Sequence, residues 1–380
     1  MPRKGNLKNS CATPARSKMS GCHMESNPHT TIPLSILRAM PKVVLHEHLD
    51  GGPRTATLIE LAASRGIKLP STDPVVLADW FYDTATSGSL KGYLATFDTV
   101  NAVLQDAESL ERVTEEYVAD LTADGVIYAE IRFAPERHVA QGLTMTQVVG
   151  AVARGIRAGM AKGSIDVRLI LCAIRNFERS LEVAHLVSND PTGLVVAFDL
   201  AGGEDGNPPR NHNAALRHLS EAERPYTLHA GEIPSLPSLR EALQTYGANR
   251  IGHGVAAMLD VHPETGAPGP ILQDALARGV PFEVCPTSNL QTGVCATMAQ
   301  HPFDAMRKLG LSVSINVDNR LMSRTSLTQE MAVVAEAFDY DLTDLAELSQ
   351  NAAGAIFATD EERSTLVERI NKWFAQAAIK

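Results

Sequence analysis

Between residues 43 and 317, eight short runs rich in β-branched residues alternate with longer stretches of helical spacing. No other feature of the chain narrows its possible folds as far. The runs are VVLHEH (43–48), VIYAEIRF (126–133), VRLILCAI (167–174), LVVAFDLA (194–201), YTLHAG (226–231), RIGHG (250–254), PFEVCP (281–286) and LSVSINV (311–317). Stretches such as MTQVVGAVARGIRAGMAKG, PSLREALQTYG, ILQDALARG and HPFDAMRKLG separate them and end in glycine, the expected helix stop. Eight βα units predict an α/β fold closed into a (β/α)8 TIM barrel, not an open doubly wound sheet. No GxGxxG opens a helix after the first run, so a dinucleotide site is unsupported. Two parts exceed a minimal barrel: a mostly helical insertion after strand 1, about 55–122, and C-terminal helices from about 327 to 379.

Composition supports this frame and removes several partners. With 44% hydrophobic and 21% charged residues, the chain has enough apolar material for a sizeable core. We expect one domain over residues 31–380. A net charge of −10 argues against nucleic acid or an anionic membrane as partner. No segment approaches the ~18 uninterrupted apolar residues of a membrane helix. Cys11, Cys22, Cys172, Cys285 and Cys295 form no CxxC and no disulfide framework, which suits a reducing cytoplasm. Residues 1–30 are rich in Lys, Arg, Ser, Asn and Pro, lack the apolar core of a signal peptide, and read as a disordered tail. His23, Cys22 and His29 within it read as solvated side chains, with adventitious metal binding as the other reading.

Barrel enzymes place their chemistry at the carboxyl ends of the strands. Strand 1 ends in His46 and His48, which at i and i+2 share one face. Strand 5 carries His229 within HAGE, strand 6 carries His253 within GHG, and strand 8 leads into Asp318 and Asn319. Three neutral imidazoles (His46, His48, His229) and the carboxylate of Asp318 suit one Zn2+ per chain with an open position for water. Such a metal lowers the pKa of water to about 7. His253 could take the water's proton or steer the hydroxide, or be a structural turn residue. Glu232, three residues past His229, could donate a proton if an apolar site raises its pKa, or favour a helix N-terminus.

The motifs HEHLDG, DLAGGE, HAGE, RIGHG, CPTSN and SINVDN, in this order, resemble the adenosine deaminases of the amidohydrolase-type barrel. The resemblance runs from about residue 38 to the carboxyl end. HLDGG, GSLKGYL, HPFDAMRK and VDNRLMSRTS look particularly like the branch found in high-GC Gram-positive bacteria. It implies that His46, His48, His229 and Asp318 hold catalytic zinc, that Glu232 protonates purine N1, and that His253 orients or deprotonates the attacking water. It further implies that the Gly202 backbone N–H meets N3, that Asp50 receives the ribose 5′-hydroxyl, and that Asn319 faces N7, with His48 also on the substrate side. The implied reaction converts adenosine or 2′-deoxyadenosine to inosine (or its 2′-deoxy form) and ammonia in purine salvage. Taken alone, Gly202 could equally be a turn glycine and Asp50 a helix cap.

Asn319 departs from the commoner family pattern, which has Asp there, yet an amide donates to an N7 acceptor without titrating. The branch itself carries Asn at this position. Val317, unlike the small polar residue usual in that branch, should point away from the site. AIRNFERS after strand 3 differs from the branch's usual wording and puts the choice of purine in play, through Asn176. Arg132 and Glu130 read as a structural ion pair or as substrate contacts. Gly88, Ser89, Leu90, Tyr93 and Phe97 read as an apolar lid or as helix packing. Glu47 should face the helical layer. A cytidine-deaminase mechanism is excluded, because Cys285-Pro286 lacks the second cysteine of PCxxC. Cys285 reads as a core residue, and Thr287, Ser288 and Asn289 as pocket floor. Deamination of another 6-aminopurine and a non-catalytic nucleoside-binding barrel are the competing readings, and the oligomeric state is open.

Overall fold

A computed structural model describes residues 32–377; residues 1–30, with Cys22, His23 and His29, lie outside it. All eight expected strands form, and all pair in parallel: β1 Lys42–His48, β2 Val126–Phe133, β3 Asp166–Ile174, β4 Val195–Ala201, β5 Thr227–Ala230, β6 Arg250–His253, β7 Phe282–Val284 and β8 Val313–Ile315. The ladders run β1-β2-β3-β4 and β5-β6-β7-β8. Single bridges join them into a ring, Phe198 to Tyr226 between β4 and β5, and Glu47 to Asp318 between β1 and the segment after β8. This is the (β/α)8 barrel of the sequence reading.

The last two strands are shorter than the expected 281–286 and 311–317. Pro286 lacks the N–H that a ladder needs and opens a helix instead, Pro286–Gln291. Asn316, beyond β8, turns its side chain onto the ring, where Oδ1 accepts from the amides of Leu45 and His46 at 2.9 and 3.1 Å.

Strand alternation decides what each β1 residue does. Val43 and Leu45 face out and pack on Ile356 and Ile370. Glu47 points to the same outer layer, where Arg320 Nε donates to it at 2.8 Å, so the residue without a role in the sequence is an ion-pair partner. His46 and His48 face in. Val317 is fully buried in the main apolar core, clear of the cavity lining, as expected. The insertion after β1 contains helices Thr55–Ser64, Pro74–Ala85, Leu90–Leu94, Phe97–Val103 and Ala107–Ala123, with Asp73, Ser89 and Asp106 capping three of them. Helices Leu327–Phe338, Leu342–Gly354 and Asp360–Ala377 follow β8. Among the described residues no helix is long and apolar enough to cross a membrane.

Candidate active site

The ring closes through the site itself. Asp318 N donates to His46 O at 3.0 Å, and His48 N donates to Asp318 O at 2.7 Å. Asp318 and His253 both adopt positive φ, 64° and 58°. For side-chain-bearing residues that conformation costs about 1–3 kcal/mol, and it persists only where surrounding bonds impose it. Here it turns both side chains from the strand ends into the barrel mouth.

Hydrogen bonds behind the imidazoles decide which nitrogens carry lone pairs. His46 Nδ1 lies 3.0 Å from Glu283 Oε2, and His229 Nδ1 lies 2.9 Å from Asp199 Oδ2. Burial alone would raise both carboxyls. Arg132 and Arg250 more than offset this at Glu283, as His229 and Arg132 do at Asp199, and both sit below the usual carboxylate range. Both imidazoles therefore donate outward from Nδ1 and present bare Nε2 atoms inward.

Those lone pairs converge. His46 Nε2 is 3.6 Å from Asp318 Oδ1 and has no hydrogen-bond partner. His48 Nε2 is 3.3 Å from His229 Nε2 and 3.4 Å from Asp318 Oδ1. Burial opposes ionisation of Asp318, yet the surrounding imidazoles hold its carboxyl well below the usual range. The bare Nε2 of His46 facing the Asp318 carboxylate is unfavourable unless a cation lies between them. The donor set thus fits a metal ion. Ligand atoms of His46, His229, His253 and Asp318 all lie within 4.8 Å of one another, a group that contains His253 and not the expected ligand His48.

A relay distinguishes His253 from the other three. The Phe303 amide donates to His301 Nδ1 at 3.1 Å, which leaves the His301 proton on Nε2, 3.1 Å from Asn289 Oδ1. Asn289 Nδ2 then donates to His253 Nδ1 at 3.1 Å. Burial and His46 hold His253 far below the usual histidine range, so it is neutral and carries its proton on Nε2. That nitrogen faces Glu232 Oε1 at 3.8 Å. Burial, then Asp318 and Glu204, push the Glu232 carboxyl well above the usual range. Glu204 fixes the loop by accepting from the amides of Gly231 and Glu232 at 3.0 and 2.8 Å.

A cavity of about 260 Å³ opens over this centre, bordered by His48, Asp50, Gly202, His229, Glu232, His253, Asp318 and Asn319. His46, fully buried, lies behind it. Gly202 has φ 94°, so its backbone conformation is one that a side chain would strain. Gly51 is required for another reason: a Cβ there would fall 1.7 Å from Asn319 Oδ1. Asn319 Nδ2 donates to Tyr93 Oη at 2.9 Å, leaving its second hydrogen for a ligand. Leu90, Tyr93 and Phe97 do line the cavity, whereas Ser89 caps a helix and Gly88 donates to Gln291 O. Asn176 lines it as well.

Arg132 and Glu130 are structural: Arg132 pairs with Asp199 and Glu283, and Glu130 with Arg250. Ser288 donates to Asp318 Oδ2 at 2.6 Å, and Cys285 is buried. Sequence reasoning missed Asp199, Glu283, Glu204 and His301. Asp199 and Glu283 had a signal, a carboxylate inside an apolar strand run, which must find a buried cation or imidazole.

Fold and site together define a barrel hydrolase with a candidate metal centre at its strand ends. Residues 41–373 match the family described as adenosine deaminase, and the chain belongs to that family, whose members hydrolyse C–N bonds. Adenosine deaminase of Mycobacterium marinum is 43% identical over 350 residues, spanning 89% of this chain and 96% of the relative. Adenosine deaminase 1 of Streptomyces coelicolor is 42% identical over 345 residues, spanning 88% and 87%. The family resemblance and its high-GC Gram-positive branch are thereby borne out. Adenine deaminase from Arthrobacter aurescens shares the fold at TM-score 0.80 with 26% identity, covering 89% of this chain and 100% of that one.

Proposed function

We propose that the protein hydrolyses adenosine, and 2′-deoxyadenosine, to inosine (or 2′-deoxyinosine) and ammonia. The observation that carries this reading is the buried Glu232 carboxyl, 3.8 Å from His253 Nε2, on the one cavity that also borders His48, His229 and Asp318. His46, His48, His229 and Asp318 would hold one Zn2+, leaving His253, whose Nε2 carries a proton, as a donor. A bound zinc supplies Lewis acidity that makes water a nucleophile at neutral pH.

The chain's own groups then divide the work. Asp50 and Asn319 orient the nucleoside, and the Gly202 amide meets N3. His253 Nε2–H holds the attacking oxygen by donating to it. Glu232 gives its proton to N1, which makes C6 electrophilic, as the water oxygen adds there. The proton lost by the water restores the Glu232 carboxyl. The remaining hydroxyl proton passes to the amino nitrogen, the C6–N bond breaks, and ammonia leaves an inosine protonated at N1.

In this reading residues 31–380 form a single deaminase domain, working in the cytoplasm on a free nucleoside and not on nucleic acid or a membrane. The likeness to an adenine deaminase favours one second reading, the free base as substrate. Ultraviolet absorbance with adenosine and adenine separates the two, and no turnover of either by zinc-loaded protein would refute both. Glu232→Gln should retain zinc and lose about 100- to 10,000-fold in kcat; unchanged turnover would remove Glu232 from the acid role.

A further inference from the structure

One buried polar side chain on the cavity wall has no role in the reaction just described. Asn101, on helix Phe97–Val103, lines the cavity and is only 6% exposed, yet neither its Oδ1 nor its Nδ2 has a hydrogen-bond partner. Its backbone is well held: Gln105 Nε2 donates to Asn101 O at 2.6 Å and to Arg137 O at 2.8 Å. A buried polar group left unmet destabilises the fold that holds it. Leu90, Leu94 and Phe97 on the same wall show that apolar residues fit there. The fold gains nothing from an amide at this position.

Helix Phe97–Val103 packs against the Leu49–Gly51 turn, which carries Asp50. Asp50 Oδ1 also lines the cavity without a partner. The purine contacts Gly202, Glu232 and Asn319 come from strand ends, whereas Asn101 comes from the covering helix beside Asp50. We infer that Asn101 reads the ribose, donating from Nδ2 to one of the vicinal 2′- and 3′-hydroxyls and accepting from the other at Oδ1. Asp50 can only accept; a carboxamide supplies one donor and one acceptor, the complement of a diol. The inference rests on the nucleoside reading above and adds to it a preference for a ribose over a sugar without those hydroxyls.

The test compares adenosine, 2′-deoxyadenosine and 2′,3′-dideoxyadenosine on the zinc-loaded wild type, Asn101→Leu and Asn101→Ala. Wild type should favour adenosine over the dideoxynucleoside by about 10-fold or more in kcat/KM. Both variants should bring that ratio near one by losing turnover of adenosine, and to a lesser degree of 2′-deoxyadenosine with its one remaining hydroxyl, while the dideoxynucleoside is unchanged and the melting temperature of Asn101→Leu is kept or raised. Equal loss on all three substrates, an unchanged ratio, or a fall of several degrees in both variants would overturn the inference. If wild type turns over no nucleoside, the deaminase reading fails by itself. Calorimetric binding of inosine against 2′,3′-dideoxyinosine then decides the ribose contact by the same ratio.

Discussion

The barrel interior and the cavity wall both bury polar side chains, and they differ in how fully those side chains are paired. Inside the barrel, Arg132 pairs with Asp199 and Glu283 at 3.0 and 2.7 Å, and Arg250 with Glu283 and Glu130 at 2.6 Å each. On the wall and behind it, Asn101, Asp50 Oδ1, Asn319 Oδ1 and His46 Nε2 have no hydrogen-bond partner. Paired groups are there to hold something still, in this case the imidazoles. Unpaired ones represent a cost that only a ligand removes. The division is one of degree, since Arg132 Nε and Thr227 Oγ1 also lack a partner, but Asn101 is unmet at both side-chain atoms while Arg132 still bonds two carboxylates.

Removing a cation from the paired region should have the largest effect. Arg132→Met leaves Asp199 and Glu283 without it and should destabilise the protein by about 3–5 kcal/mol, read by denaturant unfolding. A loss no larger than that of Asn101→Leu would erase the distinction between the two regions. Asp199→Asn probes their junction, because Asp199 both pairs with Arg132 and orients His229. It should weaken metal affinity about 10- to 100-fold in a competition titration; unchanged affinity would show that the interior does not tune the centre.

Glu136 lies between the two regimes, and its effect is confined to one pH range. Its Oε1 accepts from Ile174 N at 2.6 Å, while Oε2 has no partner. Burial pushes its carboxyl up to about 7 from 4.5, against the pull of the Ile174 amide. The folded state therefore keeps a proton that the unfolded chain releases, and stability falls as pH rises from 4.5 to 7. Glu136→Gln imitates the protonated form. It should melt with wild type near pH 4 and about 5 °C above it at pH 8; parallel curves at all pH values would refute the shift.

The strands were legible because their periodicity is local, and the histidines because barrel chemistry collects at strand ends. His46, His48, His229, His253, Asp318 and Glu232 could thus be named before any distance was known. The groups that orient them were not, because their contacts are long-range. Glu283 meets His46 across most of the barrel's sequence, and His301 acts on His253 only through Asn289. Arg132 illustrates the boundary: its charge within a strand was visible, but the choice between ion pair and substrate contact needed the closed ring. Asn101 gave no signal at all, since a single Asn in a helical stretch is ordinary until its surroundings are seen to be a cavity.

The bridge between Glu47 and Asp318 carries a consequence for biosynthesis. Among the described residues it is the one β-bridge between the first strand and the segment after the last, and its hydrogen bonds run through His46, His48 and Asp318. A nascent chain that has made His46 and His48 still lacks Asp318 until the eighth strand emerges. An intermediate open at that seam brings only part of the donor set together. The donor set is therefore one that exists only in the closed ring, so metal affinity would report closure and not the presence of any single strand.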